Sequence, residues 1–184
     1  MGSKKFQREY TSKTKVGATL LPPAHQNTIR QNFFGENMEK LLNEQVVGQI
    51  KQAFAELVHP VQILFFGSKE NCDYCNETQQ LLSEISAVDE KVSLSQYDLN
   101  EDAALAAQYR VDKAPAIVIA SKNGEQIVDL GVQFSGIPAG YEFSTLINDI
   151  ILASKRDSGL GAATRKFLKT LTQPLHLQVF VTPT

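Results

Sequence analysis

Two cysteines occur in the chain, three residues apart, as Cys72-Asp73-Tyr74-Cys75. That spacing suits two chemistries. One is thiol–disulfide exchange, which needs a thiolate that attacks, a second thiol that resolves the mixed disulfide, and access for the substrate. The other is metal binding. A structural zinc site takes about four ligands, and only His25, His59 and His176 are there to complete one. His25 lies in an unpatterned segment, while His59 and His176 hold matching positions before apolar runs, so no metal is expected. A secreted scaffold stapled by disulfides would carry more cysteines, more widely spaced. The pair therefore reads as a redox dithiol.

Placed across the first turn of a helix, the two residues take different roles. Cys72, at or just before the helix N-terminus, meets unpaired N–H groups and the positive end of the dipole, which favour its anion. Cys75, one turn in, points toward the body of the domain. Cys72 is thus the expected nucleophile and Cys75 the resolving thiol. Tyr74 supplies an aromatic flank where a substrate would lie. Asp73 sets a negative charge beside the developing thiolate and opposes the dipole, so it is expected to tune the couple toward a more reducing one. No acidic residue falls within the apolar run Val61–Phe66 to take the proton from Cys75. Glu70 is a weak candidate acceptor by proximity alone, set against its plainer reading as a solvated loop residue.

The elements that must hold this pair follow from periodicity. Leu42, Val46, Ile50, Phe54 and Leu57 recur at helical spacing, so the pattern predicts an amphipathic helix over 39–58, ended by Pro60. Val61-Gln62-Ile63-Leu64-Phe65-Phe66 reads as a strand buried on both faces. After the cysteines comes a helix with Leu81, Leu82, Ile85 and Val88 inward, then a strand near 92–99 and a short helix over 101–109. Ala116–Ala120 is a further strand, Asn123-Gly124 signals a hairpin, and Gln126–Phe134 returns. Phe143, Leu146, Ile147, Ile150 and Ile151 make the stripe of a closing helix. The order α-β-α-β-α-β-β-α implies an α/β domain with a central mixed sheet flanked by helices.

Lys113-Ala114-Pro115-Ala116 stands just before a buried strand. Proline is tolerated at a strand's first position. If its bond is cis, the Ala114 backbone turns outward beside the dithiol and can pair with an extended substrate segment as an added strand. Ala114 and Pro115 are therefore candidate substrate-binding residues.

A strand, Cys-x-x-Cys at a helix start, a βα unit, then proline before a hairpin and a final helix resembles the thioredoxin/glutaredoxin superfamily. More closely, residues 38–184 are similar to the N-terminal portion of the glutaredoxin-like protein disulfide oxidoreductases of thermophilic archaea and bacteria. The most specific match is Gly136-Ile137-Pro138-Ala139-Gly140-Tyr141-Glu142-Phe143-Ser144. Leu175–Thr184 also resembles the strand leading to that family's second site. The resemblance implies a thioredoxin-like fold, exchange of protein disulfides, and a site carried by Cys72, Cys75 and a cis Pro115. Such proteins have two units, each with its own Cys-x-x-Cys, whereas this chain holds one.

The ends of the chain differ from its middle. Residues 1–37 are basic, with Lys4, Lys5, Arg8, Lys13, Lys15 and Arg30 against Glu9 and Glu36, and lack periodicity. They read as a disordered extension, or as sequence ahead of an internal start at Met38. At the other end, Leu57–Phe66 is echoed by Leu171–Phe180. The reading is one thioredoxin-like unit over 38–155, a linker over 156–161, and over 162–184 the first helix and strand of an incomplete second unit. The apolar stretch 175–182 is expected to pair with an existing sheet edge, or to serve self-association.

Composition bounds the rest. The chain has 184 residues, net charge −2 and 42% hydrophobic residues, with a pI near 5.9. That suits an ordinary globular core and leaves no basic footprint for nucleic acid. No apolar run approaches the roughly 20 residues that cross a bilayer, and the basic start lacks the apolar stretch of a secretory signal. A cytoplasmic thiol–disulfide oxidoreductase is expected, needing no metal or organic cofactor. Its expected partners are protein disulfide or dithiol substrates, and a flavin-dependent thioredoxin reductase or glutathione as electron partner. The competing reading is a thioredoxin-like module that binds or supports without turning over, since fold alone does not fix function.

Overall fold

Every position of β2 (Val61–Gly67) is buried, as its unbroken apolar run demands of a central strand. In the computed structural model, which describes residues 40–180 and the backbone of 18–20, β2 lies between two neighbours. β3 (Val92–Asp98) pairs with it in parallel and β4 (Ala116–Asn123) antiparallel. β5 (Gln126–Ser135) continues the sheet beyond β4, and β1 (Ala18–Leu20) adds a short antiparallel partner at 126–128, giving the order β1-β5-β4-β2-β3. Periodicity places no element before residue 38, so β1 is an addition to the expected order; the rest of 1–37 lies outside the described residues.

Alternation along β2 builds a core on each face. Val61, Ile63 and Phe65 pack with α1 (Glu44–Phe54), α2 (Cys75–Ser86) and α4 (Tyr141–Lys155). Leu64 and Phe66 face the opposite way, under α3 (Ala103–Gln108) and Tyr109. Gln62, the buried polar residue of β2, is satisfied: its amide donates to the Ser93 carbonyl at 3.3 Å and to Ser95 Oγ at 3.0 Å. The hairpin turns one residue later than Asn123-Gly124 implied. Asn123 still pairs with Gln126, so Gly124-Glu125 is the two-residue loop, and Gly124 at φ 60° takes the positive first position that glycine satisfies in a II′ turn.

Helix α1 is shorter than the pattern predicted. Asn43 caps it, its Oδ1 accepting from the Val46 amide at 2.9 Å. Residues 41 and 42 stay outside the helix because Glu84 on α2 captures their amides, Leu41 N–H at 3.0 Å and Leu42 N–H at 2.8 Å. At the far end the chain tightens into i→i+3 bonds, Glu56 to Ala53 and Leu57 to Phe54. Burial works against the Glu84 charge, but the Leu42 and Leu41 amides, Gln80 and Lys40 together hold its pKa below the ordinary glutamate value of 4.5. A carboxylate with a depressed folded pKa contributes stability above its unfolded pKa and loses it as pH falls through the folded one. Glu84→Gln should therefore cost about 1 kcal/mol near neutrality, a figure reduced for solvent screening. The cost should vanish below the folded pKa, where the two stability curves converge. Thermal unfolding across pH 3–7 checks this; a pH-independent gap between the curves would refute it.

Beyond α4, residues 156–161 are extended or turned, and α5 (Ala162–Leu168) forms where the opening helix of a second unit was expected. Arg165 pairs with Asp157 across this stretch, and the guanidinium holds the Asp157 carboxyl down at about 2. The expectation that 175–182 pairs with a sheet edge fails over the described residues: Leu175–Phe180 form no strand, and Leu175, Leu177, Val179 and Phe180 are exposed. The physical reason lies in the counterpart, β2, which has strands on both sides and helices on its faces. An edge of this sheet offers one pairing partner and too little cover for the apolar face that Leu175, Leu177 and Val179 would share.

Candidate active site

The end of β2 delivers the chain to the dithiol. Gly67 is its last residue, and a Cβ built there would lie 3.1 Å from the Phe65 ring and 3.5 Å from Cys75 Sγ. A side chain at 67 would thus crowd the Phe65 ring and come into ordinary contact with the site's inner sulfur. From Gly67 the loop passes through Ser68, whose hydroxyl donates to the Glu70 carbonyl at 2.8 Å and accepts from the Glu70 amide at 3.2 Å. Asn71 and Tyr74 both adopt left-handed backbone, φ 50° and 65°, conformations unusual for residues with a Cβ. These two turns fold the segment so that Cys72 and Cys75 meet as a disulfide, with Cα atoms 5.6 Å apart.

Those turns also shift the helix. α2 begins at Cys75, not at Cys72, with Tyr74 as its N-cap. Cys72 sits in the turn before the helix and Cys75 is its first residue, whereas the spacing alone puts Cys75 one turn in. No side chain caps α2, so among the described residues its first-turn N–H groups, beside the cysteine pair in sequence, have no side-chain capping acceptor. The backbone is secured one turn later, where Thr78, fully buried, donates both its amide (2.9 Å) and its hydroxyl (2.6 Å) to the Tyr74 carbonyl.

The two cysteines are partly exposed, Asp73 is exposed, and Tyr74 presents 60% of its surface to solvent. Glu70 is exposed too, and its carboxylate makes no hydrogen bond or ion pair among the described residues.

Pro115 reaches this place from far along the chain. Phe66 lies opposite Ala116 in the β2–β4 ladder, which carries Pro115 to the position opposite Gly67. The Ala114–Pro115 bond is cis. Pro115 is buried, and its carbonyl accepts from the Gly136 amide at 2.9 Å, tying it to the end of β5. Ala114 is half-buried, and its own N–H and C=O make no hydrogen bond among the described residues. His59 stands two residues before β2, whose first residue is already about 20 Å from Gly67 by strand rise, and among the described residues no cluster of three His, Cys, Asp or Glu could hold a metal.

Sequence reasoning missed two contributors. Gly67 reads in the sequence as an ordinary loop glycine, yet it ends β2 beside Cys75 Sγ, where a Cβ would crowd the Phe65 ring. Asp98, the last residue of β3, accepts the Lys69 amide at 3.1 Å and so touches the loop that leads to the cysteines. A strand ending in Asp-Leu-Asn signals a turn, but not which distant loop the carboxylate meets.

No family model matches the chain. Among curated proteins it is similar to an alkyl hydroperoxide reductase of Staphylococcus aureus (strain MRSA252), 28% identical over 144 residues, covering 78% of this chain and 25% of that protein. The chain thus spans about a quarter of the length of the curated relatives it matches. Among solved structures it resembles a protein disulfide oxidoreductase from Aeropyrum pernix k1, with TM-score 0.61 and 26% identity over 73% of this chain and 56% of that one. It also resembles the alkylhydroperoxide reductase AhpF of Enterococcus faecalis (V583), with TM-score 0.63 and 26% identity over 71% and 61% of the two chains. The thioredoxin-like fold and the linked cysteine pair, with oxidoreductases as neighbours, support dithiol exchange and fit the chain to the thioredoxin/glutaredoxin superfamily.

Proposed function

We propose that this protein is a thiol–disulfide oxidoreductase acting on protein disulfides through Cys72 and Cys75. The single observation that carries the reading is the disulfide itself, set in an accessible turn directly before an uncapped helix. In reduction, the Cys72 thiolate attacks a substrate disulfide and displaces one substrate thiolate, which takes a proton from solvent. Cys75, deprotonated, then attacks Cys72 Sγ and releases the second substrate thiol. Substrate leaves with two thiols, and the enzyme keeps the Cys72–Cys75 bond. The reverse sequence oxidises substrate.

The free first-turn amides of α2 are suited to stabilising a Cys72 anion. Asp73 beside it opposes that anion. A destabilised thiolate weakens the reduced form, so the couple is more reducing with Asp73 present. Asp73→Pro should raise the reduction potential by about 30 mV, tenfold in the equilibrium constant. Titration in glutathione buffers measures it, and a lower potential for the variant would contradict the assignment.

Tyr74, exposed, and the unpaired backbone of Ala114 beside Pro115 are the proposed substrate contacts, the latter by strand addition to an extended segment. Solvent is the proposed proton acceptor for Cys75, with Glu70 having no contact that favours it. The electron partner is proposed to be a flavin-dependent reductase or glutathione. The proposed division of the chain is a redox unit over 38–155, a linker over 156–161, and the opening of a second unit over 162–184. The helix Ala162–Leu168 and the echo of Leu57–Phe66 in Leu171–Phe180 support it. The exposed apolar residues between 175 and 180 suit self-association or a covering unit. For location, among the described residues no helix is long and apolar enough to cross a membrane, and the cytoplasm is the proposed compartment.

The test of the function is reduction of insulin by dithiothreitol with the wild-type chain and with Cys72→Ser. Acceleration that depends on Cys72 is expected. A chain that accelerates nothing, or does so equally without Cys72, is a binding module.

A further inference from the structure

The loop from β2 to the cysteines has its outer anchor on another strand. Gly67 and Asp98 are register partners at the ends of β2 and β3. From there two backbone groups of the loop are held by the β3–α3 turn: the Gly67 carbonyl accepts from the Leu99 amide at 2.8 Å, and the Lys69 amide donates to Asp98 Oδ2 at 3.1 Å. The other carboxylate oxygen of Asp98 accepts from the Asn100 amide at 2.9 Å and the Glu101 amide at 3.1 Å. Its backbone is fixed as well, the amide donating to Asp102 Oδ2 at 2.9 Å and the carbonyl accepting from the Asp102 amide at 2.8 Å. Lys69 adds an ion pair to Glu101. Asp98 is thus a rigid carboxylate, held by its own turn, with one oxygen turned to the redox loop three residues before Cys72.

We propose that Asp98 is a positioning residue for the dithiol, holding the Ser68–Asn71 loop so that Cys72 stays within bonding reach of Cys75 when the pair is reduced. This rests on the exchange reading above. The physical consequence is asymmetric. In the oxidised protein the sulfur–sulfur bond itself restrains the loop, so losing the Asp98 anchor frees little. In the reduced protein that bond is gone and the Asp98 anchor is one of the few restraints left between β2 and Cys72, so its loss lets the loop explore more conformations. The reduced state then gains entropy that the oxidised state does not, and disulfide formation becomes less favourable. The carboxylate's pKa lies below the ordinary aspartate value despite partial burial, because the Asn100, Glu101 and Lys69 amides and the Lys69 charge favour its anion. It therefore stays an acceptor through neutral pH.

The experiment measures the thiol–disulfide equilibrium of the full chain against reduced and oxidised glutathione for wild type, Asp98→Asn, Asp98→Ala and Ser154→Ala. Ser154 is a buried residue tied to the opposite end of β2 through Val58 and His59, and its replacement destabilises both redox forms alike. The equilibrium constant for closing the disulfide is expected to fall about threefold in the Asp98 variants, a potential about 14 mV less negative, while Ser154→Ala stays with the wild type. Should Asp98→Ala fail to fold, Asp98→Asn still decides, since it keeps the volume and loses one acceptor oxygen and the charge. Unchanged potentials in the Asp98 variants, or an equal shift in Ser154→Ala, would overturn the positioning role. A wild-type chain that exchanges with glutathione not at all would instead overturn the reading beneath it.

Discussion

Cys72→Ser should lose at least a thousandfold in catalysed disulfide reduction, in line with roughly 10³ or more for removing an enzyme's nucleophile. The serine hydroxyl is close in size, so the turn at 71–74 and the start of α2 should persist; the loss is chemical, because an alkoxide is not accessible near neutral pH where a thiolate is. Cys75→Ser should behave differently. The first attack still proceeds, but nothing displaces the substrate, so a mixed disulfide on Cys72 accumulates and can be detected by mass spectrometry after acid quenching. The assignment of roles turns on that contrast. If the adduct forms on Cys75 in a Cys72→Ser chain as readily as on Cys72 in the other, attacker and resolver have been assigned the wrong way round.

Ser154→Ala is expected to be the most damaging of the stability changes considered. Ser154 is fully buried on α4, and its hydroxyl joins the helix to the entry of β2. Its Oγ accepts from the Val58 amide at 2.8 Å and the His59 amide at 3.0 Å, and donates to the His59 carbonyl at 2.6 Å. Without it the Val58 N–H has no acceptor, and His59 keeps only a longer bond to the Ser154 carbonyl at 3.3 Å. Val58 is an exposed residue and its amide and that of His59 are part-buried, but their acceptor is fully buried, and leaving part-buried backbone groups unpaired still costs more than losing an exposed bond. We expect about 2–3 kcal/mol, or a fall in Tm of about 8 °C, read from denaturant and thermal unfolding of the oxidised protein. A loss under about 0.5 kcal/mol, the range of ordinary surface substitutions, would mean that water replaces the hydroxyl.

Much of the molecule is legible in its residues. The order of β2 through α4 follows the periodicities, because a strand buried on both faces and a helix with one apolar stripe each leave a local mark that tertiary context here does not override. Pro115 at a strand start is legible as well, being a residue type with a restricted backbone, whereas its cis bond is a finding of the structure. Boundaries are less so. α1 starts five residues later than its apolar pattern because Glu84, over 40 residues away, takes the amides of Leu41 and Leu42. α2 starts three residues later than Cys72 because Asn71 and Tyr74 turn left-handed, a conformation that Asn tolerates but that a tyrosine does not announce.

The residues alone pointed to the proposed chemistry and to the element order from α1 to α4: two cysteines three apart, with no further ligands in a matching pattern, leave exchange as the natural use of their sulfur. Only the tertiary structure decided how that pair is held. Gly67 lies beside Cys75, Pro115 lies across from Gly67, Asp98 secures Lys69, β1 sits on β5, and Leu175–Phe180 forms no strand among the described residues. Helical and strand periods are local, each written within a dozen residues. Which distant strand ends meet is set by sheet order and by what burial each segment can find, and no single stretch of the chain encodes that.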